Sequence, residues 1–126
     1  KLLSVEEKNS ICIHVFTSTK DELENIIDSE NLRGCFRVND YVGYLEFLNI
    51  TKQFDCLIIN DAITKPQKSM NPYLPSKLSD YAGSESSIWA LYEKDCVLSQ
   101  KKNVKHFSEL GCIDESVSTM QRIINE

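Results

Sequence analysis

Short apolar runs rich in β-branched residues alternate along this chain with segments of helical periodicity, and that alternation constrains its fold more than any other feature. Ile11-Cys12-Ile13-His14-Val15-Phe16 is a near-continuous apolar run that suits a strand buried on both faces, as in a parallel sheet. Thr19 and Glu22 then have capping-box spacing, and Leu23, Ile26 and Ile27 fall on one helical face. Cys35-Phe36-Arg37-Val38 predicts a second strand. Asp40 is placed to cap a helix over residues 41–53, with Val42, Leu45 and Leu48 as its inner stripe. Cys56-Leu57-Ile58-Ile59 predicts a third strand, ending at Asn60-Asp61. A loop over 62–74 leads to Pro75, which suits the first turn of a helix over 76–82 that stops at Gly83. Ile88-Trp89-Ala90-Leu91 is a fourth strand and Val104-Lys105-His106-Phe107 a weaker fifth. Asp114 is placed to cap a last helix with Val117, Met120, Ile123 and Ile124 inward. Residues 1–8 read as the tail of a helix.

Strands alternating with helices at this spacing imply right-handed βαβ units: an α/β, Rossmann-like parallel sheet flanked by helices. At 126 residues the chain fits a single domain with its own core. Ligands of such sheets bind beyond the carboxyl ends of the strands, which directs attention to loops 17–20, 39–43, 60–76 and 92–100.

Composition removes several alternatives. A net charge of −5 and a pI near 5.1 argue against a nucleic-acid partner, whose phosphates need clustered Lys and Arg. The 5 cysteines, Cys12, Cys35, Cys56, Cys96 and Cys112, are widely spaced and lack a C-x-x-C pair. They read as reduced packing residues of a cytosolic protein. His14 and His106 stand near no cysteine pair and read as strand residues, so no metal or other cofactor is expected. Trp89 reads as core. No Gly-rich phosphate loop and no apolar stretch of membrane-spanning length is present.

The segment that carries chemistry is Asn71-Pro72-Tyr73-Leu74-Pro75-Ser76-Lys77-Leu78-Ser79-Asp80-Tyr81. It puts a helix start after the third strand, where free N–H groups and the helix dipole favour a phosphate. Ser76 adds a hydroxyl and Lys77 a mobile charge. Asp80, four residues after Ser76, can accept hydrogen bonds from the vicinal hydroxyls of a ribose. Tyr73 suits stacking on a base or sugar, and equally suits packing. The same residues also describe an ordinary helix with a solvated polar face, and chemistry alone does not separate the two readings.

The segment Pro75-Ser76-Lys77-Leu78-Ser79-Asp80-Tyr81 resembles the Pro-Ser-Lys-Leu-x-Glu-Tyr stretch of group 1, retaining glycosyltransferases of the GT-B fold. Tyr41-Val42-Gly43-Tyr44-Leu45-Glu46-Phe47-Leu48 and Phe54-Asp55-Cys56-Leu57-Ile58-Ile59-Asn60 are similar to two further elements of that family, in the same order. The resemblance runs over about residues 11–100. It implies the C-terminal, nucleotide-sugar-binding half of an enzyme that transfers a sugar from a UDP- or GDP-sugar to an acceptor hydroxyl, in polysaccharide or glycoconjugate synthesis. By that resemblance Asp80 holds the donor ribose, Ser76 and Lys77 lie at the diphosphate, Leu78 is a further substrate-binding position, Thr17 and Ser18 line the donor, and Val42 and Gly43 approach the base. The acceptor-binding half is absent, so the 126 residues are expected to be inactive alone, and the parent is expected in the cytoplasm or peripherally at the inner membrane face.

Two departures from the family pattern matter. Asp80 stands in place of Glu. The first acid of the family's Glu-x7-Glu motif falls near Asn71-Pro72, where Asn71 offers a sugar hydroxyl a hydrogen bond but no charge. The family also has an earlier strand and basic helix in this domain, which implies truncation at the amino terminus. A non-catalytic, glycosyltransferase-like binding module is the alternative. A receiver-like regulator, with Asp61 as phosphoacceptor, is disfavoured because Thr17-Ser18-Thr19 stands where paired acids are needed.

Overall fold

A computed structural model describes residues 2–64, 67, 71, 72 and 74–126. The order is α1 (Val5–Asn9), β1 (Ile13–Thr17), α2 (Lys20–Ser29), β2 (Phe36–Asp40), α3 (Tyr44–Thr51), β3 (Cys56–Asn60), α4 (Lys77–Ala82), β4 (Ser87–Tyr92), a 3-10 turn at Leu98–Gln100, β5 (His106–Glu109) and α5 (Ile113–Ile124). The expected alternation is present and every strand pairing is parallel. Among the described residues the strands do not form one sheet. β1 pairs with β2, and β3, β4 and β5 form a second sheet in that order.

The second sheet holds the core. Leu57 and Ile59 of β3, Ile88 and Ala90 of β4, and Leu78 and Tyr81 of α4 are buried together with Cys96, Leu98 and Val104. Burying each such Leu or Ile side chain contributes about 1.5–3 kcal/mol. Trp89 is also buried, and its indole N–H donates to Ser108 Oγ at 2.9 Å, which in turn reaches Thr119 Oγ1 of α5 at 3.0 Å. That chain satisfies the polar end of an otherwise apolar side chain and ties α5 to β4 and β5. Val117, Met120, Ile123 and Ile124 of α5 are all partly buried, on the stripe their spacing predicts.

The first sheet departs further from expectation. β1 starts two residues later than the apolar run, and it is not buried on both faces: His14 is exposed, as is Cys12 just before it. On β3, Leu57 and Ile59 are buried while Ile58 is exposed, so that strand too is covered on one face. Of the five cysteines, all free, only Cys96 is fully buried. On α2, Ile27 is 2% exposed but Ile26 is 56% exposed, because a two-stranded sheet covers only a narrow stripe of the helix.

Local signals were displaced by better local partners. The Thr19 hydroxyl lies 3.0 Å from that of Thr17 and makes no cap bond, so the Thr19–Glu22 capping box does not form. A capping box does form where residues 1–8 suggested a helix tail: Ser4 N–H donates to Glu7 Oε2 at 2.7 Å and Glu7 N–H to Ser4 Oγ at 3.1 Å, starting α1. Asp40 ends β2 and pairs with Lys20 at 2.9 Å instead of capping; Gly43 is the N-cap of a shorter α3. Its inner face carries Phe47, Leu48, Ile50 and Thr51, leaving Leu45 75% exposed. Cys112, not Asp114, precedes α5. β5 runs two residues beyond the predicted strand, and α4 and its stop at Gly83 lie where Pro75 and Gly83 put them.

Candidate functional site

The carboxyl ends of β3 and β4 are organised around two buried carboxylates. Asp61 follows β3 and Glu93 follows β4. Asp61 accepts from the N–H of Ala62 at 2.9 Å and of Glu93 at 3.3 Å. Glu93 accepts from the N–H of Thr64 at 2.9 Å and from its hydroxyl at 2.9 Å. Asn71 completes the group: its amide donates to Ala62 O and to Glu93 Oε2, each at 2.7 Å. Charged groups this deep persist only with such donors around them.

This arrangement gives Asn71 and Asp61 structural partners. Asn71 is 0% exposed and both hydrogens of its amide are engaged, so it is a latch on the loop after β3 and not a free contact for a sugar. Its backbone continues the latch, accepting from Val97 N–H at 3.2 Å and donating to Asp95 O at 3.1 Å. Asp61 is buried in the same group, which agrees with the low standing of a phosphoacceptor role for it. The Cys96 thiol stands beside this cluster; burial raises its pKa, and the Asp61 carboxylate adds to the effect.

Beyond the latch, α4 presents the predicted polar residues. Ser76, Lys77 and Asp80 lie within one turn, and the first two are exposed. The Lys77 ammonium sits 4.3 Å from the centre of the Phe47 ring, a cation–π contact of about 0.5–1 kcal/mol at such a surface. Asp80 Oδ1 accepts from the Tyr44 hydroxyl at 2.8 Å. That hydrogen bond, with the carboxylate charge, raises the Tyr44 pKa above its ordinary value. α3 thus holds both charged groups of α4, through Tyr44 and Phe47 one turn apart. Phe47 is itself braced by Tyr81, 5.9 Å away.

Leu78 departs from its predicted role. Its side chain belongs to the core, and its N–H donates to Pro75 O at 3.1 Å, so neither is open to a substrate. Ser76 makes no side-chain cap bond. Thr17 and Ser18 line a separate 390 Å³ hollow with Lys20, Asp40 and Tyr41, which contains no α4 residue. Val42 is half-buried ahead of α3, and Gly43, its N-cap, brings Tyr44 to Asp80. The structure therefore joins the α4 residues with the start of α3 and leaves Thr17 and Ser18 apart. Tyr73 lies outside the described residues.

Sequence reasoning missed Tyr44, Phe47 and Glu93. The spacing of Tyr44 and Phe47 marks a shared helical face, but the apolar stripe through Leu45 outweighed it. Glu93 stands as a lone acid directly after an apolar strand, which is the signal that was available. Among the described residues no group of three or more His, Cys, Asp and Glu suits a metal ion, and no helix is long and apolar enough to cross a membrane. No family model, characterised protein or solved structure matches the chain.

Proposed function

We propose that the chain is the nucleotide-sugar-binding half of a GT-B glycosyltransferase, with Asp80 as the ribose acceptor and Lys77 and Ser76 at the diphosphate. The observation that carries this reading is the presentation of those three side chains on α4, beyond the carboxyl end of β3, with Asp80 and Lys77 held by Tyr44 and Phe47. A carboxylate held by one phenol keeps its second oxygen for a diol. An ammonium resting on an aromatic face can swing to a diphosphate, where charge-assisted hydrogen bonds exceed the cation–π contact. The reaction of the parent is transfer of the sugar to an acceptor hydroxyl supplied by another domain, with developing diphosphate charge balanced by Lys77.

Thermal-shift titration with UDP, GDP and their sugars tests this. A ligand at about 100 times its Kd adds about 2.7 kcal/mol, a shift of roughly ten degrees for a domain of this size. Saturable stabilisation by one base series, abolished in Asp80→Ala and weakened in Lys77→Ala, is the expected result. No shift with any of the nucleotides sinks the reading.

The burial of Asn71 favours a second reading, a non-catalytic accessory module, because no accessible acid stands where the resemblance places the first one. A parent protein that binds a nucleotide sugar but neither transfers nor hydrolyses it supports the module; turnover excludes it.

A further inference from the structure

Among the described residues β1 pairs with β2 alone and β3 with β4 alone, so each keeps one open edge. Side chains alternate along a strand, which puts His14 on one face of the first sheet together with Cys12 just ahead of it. Both are exposed. Asn39 shares that face, since β2 sets it opposite Phe16. Cys12 Sγ lies 3.4 Å from His14 Nε2, and Asn39 Nδ2 lies 3.2 Å from His14 Nδ1. The same amide donates to Arg37 O at 3.4 Å, which fixes its nitrogen toward the ring. An amide hydrogen on Nδ1 leaves the proton of the neutral imidazole on Nε2, facing the sulfur. The Phe54 ring, its centre 5.1 Å from that of His14, holds the imidazole from the side.

Thiol, imidazole and amide in this order are the working parts of a nucleophilic cysteine. A donor aimed at a sulfur favours its anionic form, and the thiolate is the species that attacks. Cys12 and His14 also stand at the rim of a cavity of 590 Å³, whose wall is largely apolar through Ile11, Ile50, Phe54, Ile58, Met120 and Ile123. Its charged lining residues are Asp55 and Glu126, which disfavour an anionic ligand such as a free fatty acid. A neutral ligand with an aliphatic chain suits both the wall and the charges. Cys56 lies on the same wall, but burial pushes its thiol up to about 11, so the nucleophile at this cavity is Cys12.

We propose that Cys12 is an acyl-accepting nucleophile that takes an aliphatic acyl group from a thioester, with the acyl chain lying in this cavity. The exposed thiol first releases its proton to solvent. The Cys12 thiolate then attacks the thioester carbonyl carbon and a new C–S bond forms. The bond from that carbon to the carrier sulfur breaks, and the carrier leaves as a thiolate that takes a proton back from solvent. No oxidant or reductant is required. His14 touches the reacting sulfur and steadies it as an anion; Asn39 acts through His14 and is a positioning residue. The group of Cys12, His14 and Asn39 shares no residue with Ser76, Lys77 and Asp80, so it stands whether or not a nucleotide binds at α4.

Two probes decide the matter, the octanoyl and the acetyl thioesters of N-acetylcysteamine, incubated with the full chain and followed by mass spectrometry of the intact protein and its peptides. The octanoyl chain is about six methylenes longer, and each methylene taken from water into an apolar wall strengthens binding by up to about fourfold. Octanoylation of Cys12 is expected to run about tenfold or more faster than its acetylation, and faster by a similar factor than octanoylation of Cys35 or Cys112. His14→Ala is expected to slow it about tenfold while iodoacetamide labelling of Cys35 stays unchanged. In Asn39→Ala the rate is expected to fall about threefold, and the NMR shifts of the His14 ring nitrogens to move as Nδ1 loses its donor. A merely structural role for Asn39 leaves those shifts unchanged. Equal rates for the two probes overturn the proposal, as does modification of Cys35 or Cys112 ahead of Cys12. An unchanged rate in His14→Ala overturns it as well. If that variant fails to fold, the comparison of the two probes on the unaltered chain still decides.

Discussion

Asn71 shows how one residue's role reverses between spacing and structure. Its position in the chain suggested a ligand contact; its amide closes the loop after β3 onto Glu93 and Ala62. Asn71→Ala leaves a buried carboxylate and a carbonyl short of a donor, and is expected to cost about 2–4 kcal/mol in denaturant unfolding. A cost under about 0.5 kcal/mol, the level of an ordinary surface change, rejects the latch. Tyr44 and Asp80 make a second residue-level prediction. The Tyr44 pKa lies above its ordinary value of 10.0, first through the hydrogen bond to Asp80 and then through its charge. Because the folded value exceeds the unfolded one, the contact's contribution is complete below the ordinary tyrosine range and is lost as pH rises through the folded value. Asp80→Asn is expected to lower the Tyr44 midpoint in an NMR titration; an unchanged midpoint removes the contact. Neither contact was visible in the sequence, since spacing along the chain does not report which side chains are paired across 36 or 22 positions.

Elements were legible where punctuation and apolar runs agreed. β3, α4 and β4 lie close to where Cys56–Asn60, Pro75, Gly83 and the run around Trp89 put them. They failed where one residue had two uses. Asp40 suits a cap, but Lys20 holds it at the end of β2, and the helix starts later and rotates. The rotation exchanges the inner residue from Leu45 to Phe47. Leu45→Ala is therefore expected to change stability by less than about 0.5 kcal/mol, and Phe47→Ala to lower it by about 2 kcal/mol or more. The reverse ranking in chemical unfolding would restore the stripe read from the sequence. Ser4→Ala removes half of the capping box of α1 and is expected to cost about 0.5–2 kcal/mol. A Thr19→Ala change, at a residue that makes no cap bond, should cost less in the same assay.

For the whole molecule, the α/β class and parallel pairing were legible, but the division into two sheets was not. Strand pairing is decided between distant segments, and an apolar run looks the same whether its neighbour is present or absent. Cysteine reactivity reports this organisation. Cys12 is exposed, Cys96 is buried, and burial pushes the Cys56 thiol up to about 11. Thiol labelling of the folded chain at neutral pH should modify Cys12 before Cys56 and Cys96, with Cys56 gaining reactivity only as pH approaches its raised value. Labelling at equal rates contradicts the packing. The open edges of β1 and β3 also bear on colloidal behaviour. Their sequences, Ile-His-Val-Phe-Thr and Cys-Leu-Ile-Ile-Asn, contain no lysine and no proline to deter pairing with another chain. A net charge of −5 keeps copies apart at low ionic strength, and salt screens that repulsion. Concentrating the isolated chain in high salt should therefore seed β-rich aggregates, and a lysine in place of exposed Ile58 should suppress them.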